Sequence, residues 1–549
     1  MLTAIFLLAC AIFVLAYVKY GAFLKKHFEL DNKNHPPSQT MYDGVDYVPA
    51  PMPVLFGHHF SSIAGAGPVL GPIIACIAFG WGPVWLWVII GSIFIGGIHD
   101  FSSLIISIRN RGRSIAEIAN TYMSKRAYHL MLAFIWLTLI YVLTVFTDLT
   151  ASTFVADGGV ATTSLIFITL AIGFGLCLYR LKIPLKWATL LFVSLVFFFV
   201  WFGQKIPLNN IPAILGSQTK TWDIVLIAYC FIASVTPVWI LLQPRDYLCS
   251  FLLYASVIGG FFGILLGGLP LNYPAFTAWN NPDIGMLFPM LFVTVACGAV
   301  SGFHCIVASG TSSKQIKKES DALPIGYGAM LVEGLVAVIA LCTVMVVNKN
   351  DALLTQAPLQ IYGAGMARFL SIFGVPLNIG ASFGLLALSA FILTTLDTAT
   401  RLARYIFEEF FNLKGKGSRY LATALTLVLP TVFVLIDIKD ASGKIIPAWK
   451  SIWPVFGATN QLLAGLALMI VALWLKKKGK QAWFVIIPMI FMLVMTLWAL
   501  LLVILQYKFS LIGFIGAILL FLAIMLIFEA IEIFELKQHL RKHIGRKKK

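Results

Sequence analysis

The chain is short of charged residues. Asp, Glu, Lys and Arg make up 11% of its 549 residues, against about 25% in a typical soluble domain. Apolar residues reach 60%, against about 45–50% in soluble domains. A soluble fold of this length cannot keep so much apolar surface away from water, because its outer elements each need a solvent-facing side. The composition therefore excludes a soluble protein and predicts that much of the surface faces lipid.

Motifs that would supply energy or electron transfer are also missing. The sequence has no G-x-x-x-x-G-K-[ST] loop, which argues against ATP hydrolysis by that route. Its eight cysteines form no C-x-x-C pair and no haem attachment motif, and their places in or beside apolar runs favour helix packing. We therefore expect no enzymatic activity and no cofactor. The functions that remain are transport driven by an ion or solute gradient, and passive conduction.

Apolar runs of membrane-spanning length recur along the chain. A helix needs about 20 such residues to cross the hydrocarbon core, and that length predicts an all-α, polytopic membrane protein of about 15 spans. The predicted spans cover residues 2–18, 54–79, 84–108, 128–150, 160–180, 184–203, 222–243, 247–269, 286–310, 324–347, 366–396, 418–436, 451–475, 482–506 and 510–534. We expect an N-terminal helix and cytoplasmic loop (1–53), a transporter core (54–437), and C-terminal helices with a basic cytoplasmic tail (438–549).

The net charge of +17 comes from basic residues clustered between the apolar runs. A basic surface could indicate a nucleic-acid partner, but clusters that flank spans are typical of cytoplasmic anchors near anionic lipid. We therefore expect the lipid bilayer and a small-molecule solute as partners, and no nucleic acid. The sequence predicts no particular oligomeric state.

If the N-terminus lies outside, alternate connections are basic, as the positive-inside rule requires. Connections predicted to lie inside contain Arg109–Arg113, Arg180–Lys186, Arg245, Lys314–Lys318, Arg401–Arg419, Lys476–Lys480 and the tail from Lys537. Connections around Asp157, Asp283 and Asp351 are poor in Lys and Arg and are predicted outside. The pattern predicts a bacterial-type cytoplasmic (inner) membrane protein with its C-terminus inside.

Two predicted spans are interrupted by glycine, proline and small polar residues, at Gly57–Pro68 and Gly298–Ser313. Transporters bind solutes where a helix is broken, because the break exposes backbone groups at mid-membrane. A shift of 245 residues aligns Gly57 with Gly302, His59 with His304 and Gly65 with Gly310. The loop charges give the two spans opposite directions, so we predict an inverted repeat that begins near residue 54 and again near residue 286.

Ionisable residues are rare inside spans, because each costs at least ~2.5 kcal/mol at mid-helix. We expect the solute to be bound by His58, His59, Ser61, Gly65, Gly67, Ser301, Gly302 and His304. We expect protons to be carried by His99, Asp100, Asp148, Glu333 and Asp397, since carboxylates and imidazoles can exchange protons inside a span. Two alternatives stay open, which are simple helix packing, such as an Asp397–Arg401 pair one turn apart, and a divalent metal bound by His59, His99 and His304.

Several blocks carry a resemblance to one known family. They are Gly57–Pro72, Gly97–Phe101, Cys297–His304, Leu396–Arg401 and Trp453–Leu462, and together they resemble the carbon starvation protein A family. The resemblance implies uptake of peptides, or proton-linked uptake of pyruvate, under nutrient limitation. It also implies a fold similar to the amino acid–polyamine–cation superfamily, with broken helices at the binding site. We expect a secondary active, proton-coupled importer. The alternatives are an uncoupled channel or nutrient sensor, and a metal- or haem-bearing redox protein.

The predicted topology can be tested by labelling single cysteines in a cysteine-free background. Cysteines near Asp157 and Asp283 should react with a membrane-impermeant thiol reagent in intact cells, because both connections are predicted outside. Cysteines near Lys182 and Lys317 should react only after the membrane is permeabilised. Labelling of the cysteines near Lys182 and Lys317 in intact cells would contradict the predicted orientation of the protein in the membrane.

Overall fold

The computed structural model describes residues 1–44, 46–237, 239–413, 415, 417–439, 445–508 and 510–546, so the end of the basic tail, Lys547–Lys549, lies outside it. The helices are α1 (Leu2–His27), α2 (Pro37–Thr40), α3 (Met52–Ile63), α4 (Gly67–Phe79), α5 (Trp81–Gly91), α6 (Gly97–Arg109), α7 (Ile115–Tyr122), α8 (Lys125–Ala156), α9 (Gly158–Tyr179), α10 (Leu185–Gly203), α11 (Gln218–Val235), α12 (Leu242–Leu266), α13 (Leu287–Thr294), α14 (Gly302–Gly310), α15 (Ala329–Met345), α16 (Pro358–Leu370), α17 (Leu377–Phe410), α18 (Ser418–Leu435), α19 (Ala448–Lys477), α20 (Trp483–Tyr507) and α21 (Leu511–Arg546). Two short antiparallel pairs join β1 (Asn280–Asn281) to β2 (Gly285–Met286) and β3 (Ile438–Lys439) to β4 (Ile445–Ile446).

Among the described residues, twelve helices are long and apolar enough to cross a membrane, or thirteen if the bent pair of α3 and α4 is one span. The predicted all-α membrane fold is confirmed, but the count of about 15 is not. Two predicted spans, 54–79 and 286–310, are each divided into two short helices. A third, 222–243, corresponds to α11, whose first turns carry Lys220 and Asp223.

One predicted span has the wrong boundaries. The apolar run 366–396 begins inside α16 and ends inside α17, because the chain turns between these helices at Gly374. Gly374 has φ +77°, a left-handed conformation that glycine adopts without a side-chain clash. Two antiparallel helices therefore occupy a stretch that hydropathy alone treats as one.

Both predicted helix breaks are present. The first half-span, α3, ends at Ile63, and α4 begins at Gly67 with its axis bent by 43°. The second break is longer, because residues 295–301 are non-helical between α13 and α14. Pro68 lies in the first turn of α4, where a missing backbone N–H costs nothing.

The predicted alignment of the repeats is wrong in its offset. Gly57 lies in α3, before the first break, whereas Gly302 lies after the second. The residues that open the second half of each broken span are Gly67 and Gly302, which are 235 residues apart. The shift of 245 therefore matches residues on opposite sides of the two breaks, and His59 is not the counterpart of His304.

The packing nevertheless shows the repeat. Helix α8 packs against α17, and each of these long helices contacts the closing helix of the other half, since α19 packs on α8 and α12 packs on α17. Helix α12 also contacts the half-span α3, as α19 contacts the equivalent half-span α13. The pairs α8/α17, α11/α18 and α12/α19 therefore occupy equivalent places, while α9 and α10 form a helical pair between α8 and α11.

The centre of the molecule is formed by the two broken spans with α8, α17 and α19. The apolar window of α19 is buried along its whole length, whereas those of α1, α10, α20 and α21 are mostly exposed. These exposed helices carry the large apolar side chains that a lipid-facing surface needs. The polar residues predicted to act in transport therefore lie behind a peripheral layer of helices.

A matched pair of glycine substitutions tests the close approach of the two broken spans. A Cβ at Gly71 in α4 would lie 2.6 Å from the carbonyl oxygen of Thr294 at the end of α13. We expect Gly71→Ala to destabilise the protein by about 1–3 kcal/mol, as overpacking does, despite the better helix propensity of alanine. The measurement is the midpoint of thermal unfolding of purified protein in detergent.

Gly21→Ala is the control, because a Cβ there would meet only side-chain atoms at 3.7 Å, which is ordinary van der Waals contact. Its unfolding midpoint should equal or exceed that of the unsubstituted protein. Equal midpoints for the Gly71 and Gly21 variants would contradict the close contact between α4 and α13.

Candidate functional site

A small cavity lies between the two helix breaks. Its volume is about 10 Å³, which is roughly what one water molecule needs. Its lining comes from both breaks and from α8, α14, α17 and α19: Ile63, Gly65, Val142, Phe146, Cys297, Ser301, Phe303, Thr395 and Phe456. The described conformation is therefore closed around the centre, and a larger solute requires these helices to separate.

Four residues predicted to bind the solute lie at or beside this cavity. Gly65 and Ser301 are part of its lining. Gly67 and Gly302 allow the chains to approach, since a Cβ on Gly67 would collide with Cys297 and one on Gly302 with the backbone of Asn460. The other predicted binding residues lie elsewhere, with His58, His59 and Ser61 in α3 and His304 in α14 outside the lining set.

The second break is held by an amide side chain that the sequence analysis missed. Asn460 of α19 accepts a hydrogen bond from the backbone N–H of Phe303 at 2.9 Å, and its Nδ2 donates to Ser301 Oγ at 3.0 Å. The N–H groups of a helix's first turn have no partner within the helix. Asn460 satisfies one of them at the start of α14. Its position in a polar patch of an otherwise apolar span was the available signal.

Four of the predicted titratable residues contact one another in series. We call His99, Asp100, His304 and Glu333 the buried relay. His99 Nδ1 lies 2.7 Å from Asp100 Oδ1, and His304 Nδ1 lies 2.7 Å from Asp100 Oδ2. His304 Nε2 then lies 3.3 Å from Glu333 Oε2. The relay joins α6, α14 and α15, and all four side chains have no exposed surface.

The contact between His304 Nε2 and Glu333 Oε2 is not a hydrogen bond in the described conformation, and whether it is favourable depends on a proton. An ionised carboxylate only accepts hydrogen bonds, so Asp100 requires both histidines to carry their proton on Nδ1. A neutral His304 then has a bare lone pair on Nε2, which contacts Glu333 favourably only if Glu333 is protonated. A charged His304 instead donates from Nε2 to an ionised Glu333. In either state the contact is favourable only because one of these two side chains carries a proton.

Asp148 lies apart from the relay. Its Oδ2 accepts a hydrogen bond from the backbone N–H of Trp449 at 2.8 Å, at the N-terminal end of α19, where a negative charge is stabilising. Asp223 of α11 lies close enough to interact with it electrostatically. Both oxygens of Asp223 are buried and make no hydrogen bond within the described residues. The sequence analysis did not single out Asp223, because it stands near the end of a span.

The alternative pairing of Asp397 with Arg401 does not form. Asp397 forms a buried ion pair with Arg245 of α12, and the Tyr229 hydroxyl donates to Asp397 Oδ2 at 2.7 Å. Arg401 instead donates to the carbonyl oxygen of Ala233 at 2.7 Å, at the end of α11. Arg245 was predicted to lie in a cytoplasmic connection, but it lies in the first turn of α12 and is 2% exposed.

Asp148 and Asp397 occupy equivalent places in the two repeats. Asp148, on α8, contacts the first turn of α19, and Asp397, on α17, contacts the first turn of α12. A further buried pair lies beside Arg245, where His58 Nδ1 contacts Asp246 Oδ2 at 3.0 Å and joins α3 to α12.

The three histidines considered as metal ligands do not all share one partner. His59 Nδ1 contacts Ser312 Oγ at 2.8 Å, whereas His99 and His304 contact Asp100. Across the part of the chain that the structure describes, no three His, Cys, Asp or Glu side chains converge in a way that could hold a metal ion.

The chain is similar to known membrane transporters. The profile of the family described as "Carbon starvation protein CstA" matches residues 2–363 and 347–499. "Peptide transporter CstA" of Campylobacter jejuni is 30% identical over 564 residues, covering 90% of this chain and 80% of the relative. "Pyruvate/proton symporter BtsT" of Escherichia coli is 29% identical over 578 residues, covering 89% and 80%. The crystal structure of MhsT in complex with L-phenylalanine has a similar fold, with a TM-score of 0.50 at 13% identity over 89% of this chain and 99% of that one.

The ion pair of Asp397 with Arg245 leads to a stability prediction. Asp397→Asn leaves the buried guanidinium without its counter-charge, and breaking such a pair costs about 3–5 kcal/mol. We therefore expect a large fall in the midpoint of thermal unfolding in detergent. The double variant Asp397→Asn with Arg245→Met should recover much of it, because both charges are then gone.

Asp437→Asn is the matched control, since Asp437 is 53% exposed in its pair with Lys220 and exposed pairs contribute about 0–1 kcal/mol. Equal unfolding midpoints for the Asp397 and Asp437 variants would show that the buried pair does not stabilise the fold.

Proposed function

Because the chain belongs to the carbon starvation protein CstA family, we propose that this multi-pass membrane transporter imports a peptide or a pyruvate-like carboxylate by proton symport. The observation that carries the coupling is the buried contact between His304 Nε2 and Glu333 Oε2, which lie 3.3 Å apart. The relatives named as a peptide transporter and a pyruvate/proton symporter support the substrate class. In this proposal the protein catalyses no reaction, holds no cofactor, and lies in the cytoplasmic (inner) membrane with its N-terminus outside and its C-terminus inside.

The substrate would bind where the two spans are broken. Peptides and pyruvate share a carboxylate, and the N-terminal ends of α4 and α14, at Gly67 and Gly302, both face the breaks. Helix N-termini stabilise anions through their unsatisfied N–H groups and their dipole. Ser301 and Thr395 add hydroxyl groups to the lining, and the rings from α8, α14 and α19 offer apolar contact to the rest of the solute.

Proton loading and solute binding act on the same half-span. His304 directly follows Phe303, which lines the central cavity, and both lie in the first turn of α14. With its proton present, His304 is attracted to Glu333 and holds α14 against α15. After the proton leaves, a neutral imidazole remains between two carboxylates and this attraction is lost. Movement of α14 away from α15 would then open the cavity, and solute and proton would be released together.

Glu333→Gln tests the coupling, because glutamine keeps the shape and cannot titrate. In proteoliposomes we expect accumulation of substrate under an inward proton gradient to fall at least tenfold, while equilibrium exchange of labelled for unlabelled substrate persists. Pyruvate and a short peptide are the substrates to compare. Glu532→Gln, at an exposed position of α21, should leave both activities unchanged.

Normal proton-driven accumulation by the Glu333 variant would refute the role of the relay. Uptake that ignores the proton gradient in the unsubstituted protein, and follows only the solute gradient, would instead identify an uncoupled channel.

A further inference from the structure

A second cavity, of about 220 Å³, reaches His58 on the half-span α3. Its walls are the connection before α3, α3 itself, parts of α9, α10 and α12, and Gln315, which follows α14. Tyr179 and Leu185 are exposed at the surface, so the cavity extends outward. Among these lining residues, His58 alone has a side chain that ordinarily titrates near neutral pH.

The contacts of His58 leave one ring nitrogen able to accept a proton. Asp246 Oδ2 lies 3.0 Å from Nδ1 and, as a carboxylate, requires the proton on that nitrogen. Nε2 is buried and has no hydrogen-bond partner within the described residues. A carboxylate behind an imidazole stabilises the charged ring that forms when the second nitrogen takes a proton.

His59 connects this pair to the buried relay. It follows His58 in α3 and lies close enough to both His58 and His304 to interact with them electrostatically. Its Nδ1 contacts Ser312 Oγ, and its Nε2 has no partner within the described residues. Helix α3 packs directly against α14, so the three histidines form a series from the relay to the second cavity.

Both positive and negative side chains surround α3. The charged and titratable groups on the helices packed on α3 include Arg245 and Asp246 of α12, Asp397 and Arg401 of α17, His304 of α14 and Glu333 of α15. Asp397 is already neutralised by Arg245. Asp246 is therefore the carboxylate in direct contact with His58.

We propose that His58 is the proton-release group of the transporter: the proton passes from His304 through His59 to Nε2 of His58, and it is released to water in the second cavity when the ring turns this nitrogen, buried in the described conformation, toward the cavity. The inference rests on the proposed proton coupling. His58 becomes an imidazolium when it accepts the proton and returns to the neutral ring when it releases it. The connection before α3 is predicted to be cytoplasmic, so release would occur inside the cell.

The first experiment compares His58→Gln with His129→Gln in proteoliposomes. His129 lies on α8, where its ring is exposed, its Nδ1 contacts the carbonyl oxygen of Lys125, and its ring neighbours are Tyr128 and Phe410. For His58→Gln we expect accumulation under an inward proton gradient to fall at least tenfold, while exchange at equal pH on both sides stays within twofold of the unsubstituted protein. The His129 variant should be normal in both assays.

Proton-driven accumulation retained by His58→Gln would overturn the proposal. Exchange and accumulation falling together would also overturn it, because that result would mean that His58 only clamps α3 to α12. A failure of the unsubstituted protein to respond to the proton gradient would be a separate result, since it would remove the proposed function itself.

The second experiment blocks the cavity after the protein has folded. Leu178→Cys, in α9 and in the cavity lining, is modified with a bulky thiosulfonate in a Cys177→Ser background. Leu176→Cys, on the same helix but outside the lining and 43% exposed, is the control. We expect modification at 178, and not at 176, to reduce proton-driven accumulation at least fivefold while exchange persists.

Complete modification at 178 with undiminished accumulation would overturn the route through this cavity. An equal loss of exchange and accumulation would overturn it as well, because the cavity would then carry the solute.

Discussion

The structure depends on how the backbone groups freed at two helix breaks are satisfied inside a membrane. No water is present in the hydrocarbon core to replace a missing hydrogen bond, so a broken span must find partners within the protein. The Asn460 side chain supplies one, by accepting from Phe303 N–H and donating to Ser301. The need for this contact explains why α19 is buried along its length and why Gly302 has no room for a side chain beside it.

The same scarcity of solvent divides the buried charges into separate groups. The relay contains two carboxylates and two imidazoles and can hold a mobile proton. The pair of Asp397 with Arg245 contains a guanidinium that stays charged, so it serves as a fixed contact between α17 and α12. Asp148 is stabilised by the N-terminal end of α19. In the proposed coupling, the relay and the neighbouring histidines of α3 are the groups that take up and release the proton.

The sequence predicted the all-α membrane fold and both breaks, because glycine and proline clustered inside an apolar run interrupt the helix there. It also identified every member of the relay, since ionisable residues are costly in a span. It did not predict the partners. Arg245 was assigned to a connection because a charge near the end of an apolar run is ordinarily a flanking residue. Its partner Asp397 is 152 residues away, whereas the nearer Arg401 offered a local partner at helical spacing.

The offset of the repeats failed for a related reason. Glycine and histidine recur on both sides of each break, so identities alone could not show which half of one span corresponds to which half of the other. The positions of the helix breaks in the structure were needed to align Gly67 with Gly302.

The separation of Arg245 from Asp397 also affects how the protein is made. Ribosomes add about 5–20 residues per second, so roughly 8–30 s pass between synthesis of Arg245 and synthesis of the carboxylate that neutralises it. During that interval an arginine at the centre of a bilayer would be costly, whereas one held at the headgroup level would not. The newly inserted α12 is therefore expected to wait near the interface with its first turn in contact with phospholipid headgroups. It would reach its final depth only when the second repeat arrives, which makes the assembly of the first repeat a late event in biosynthesis.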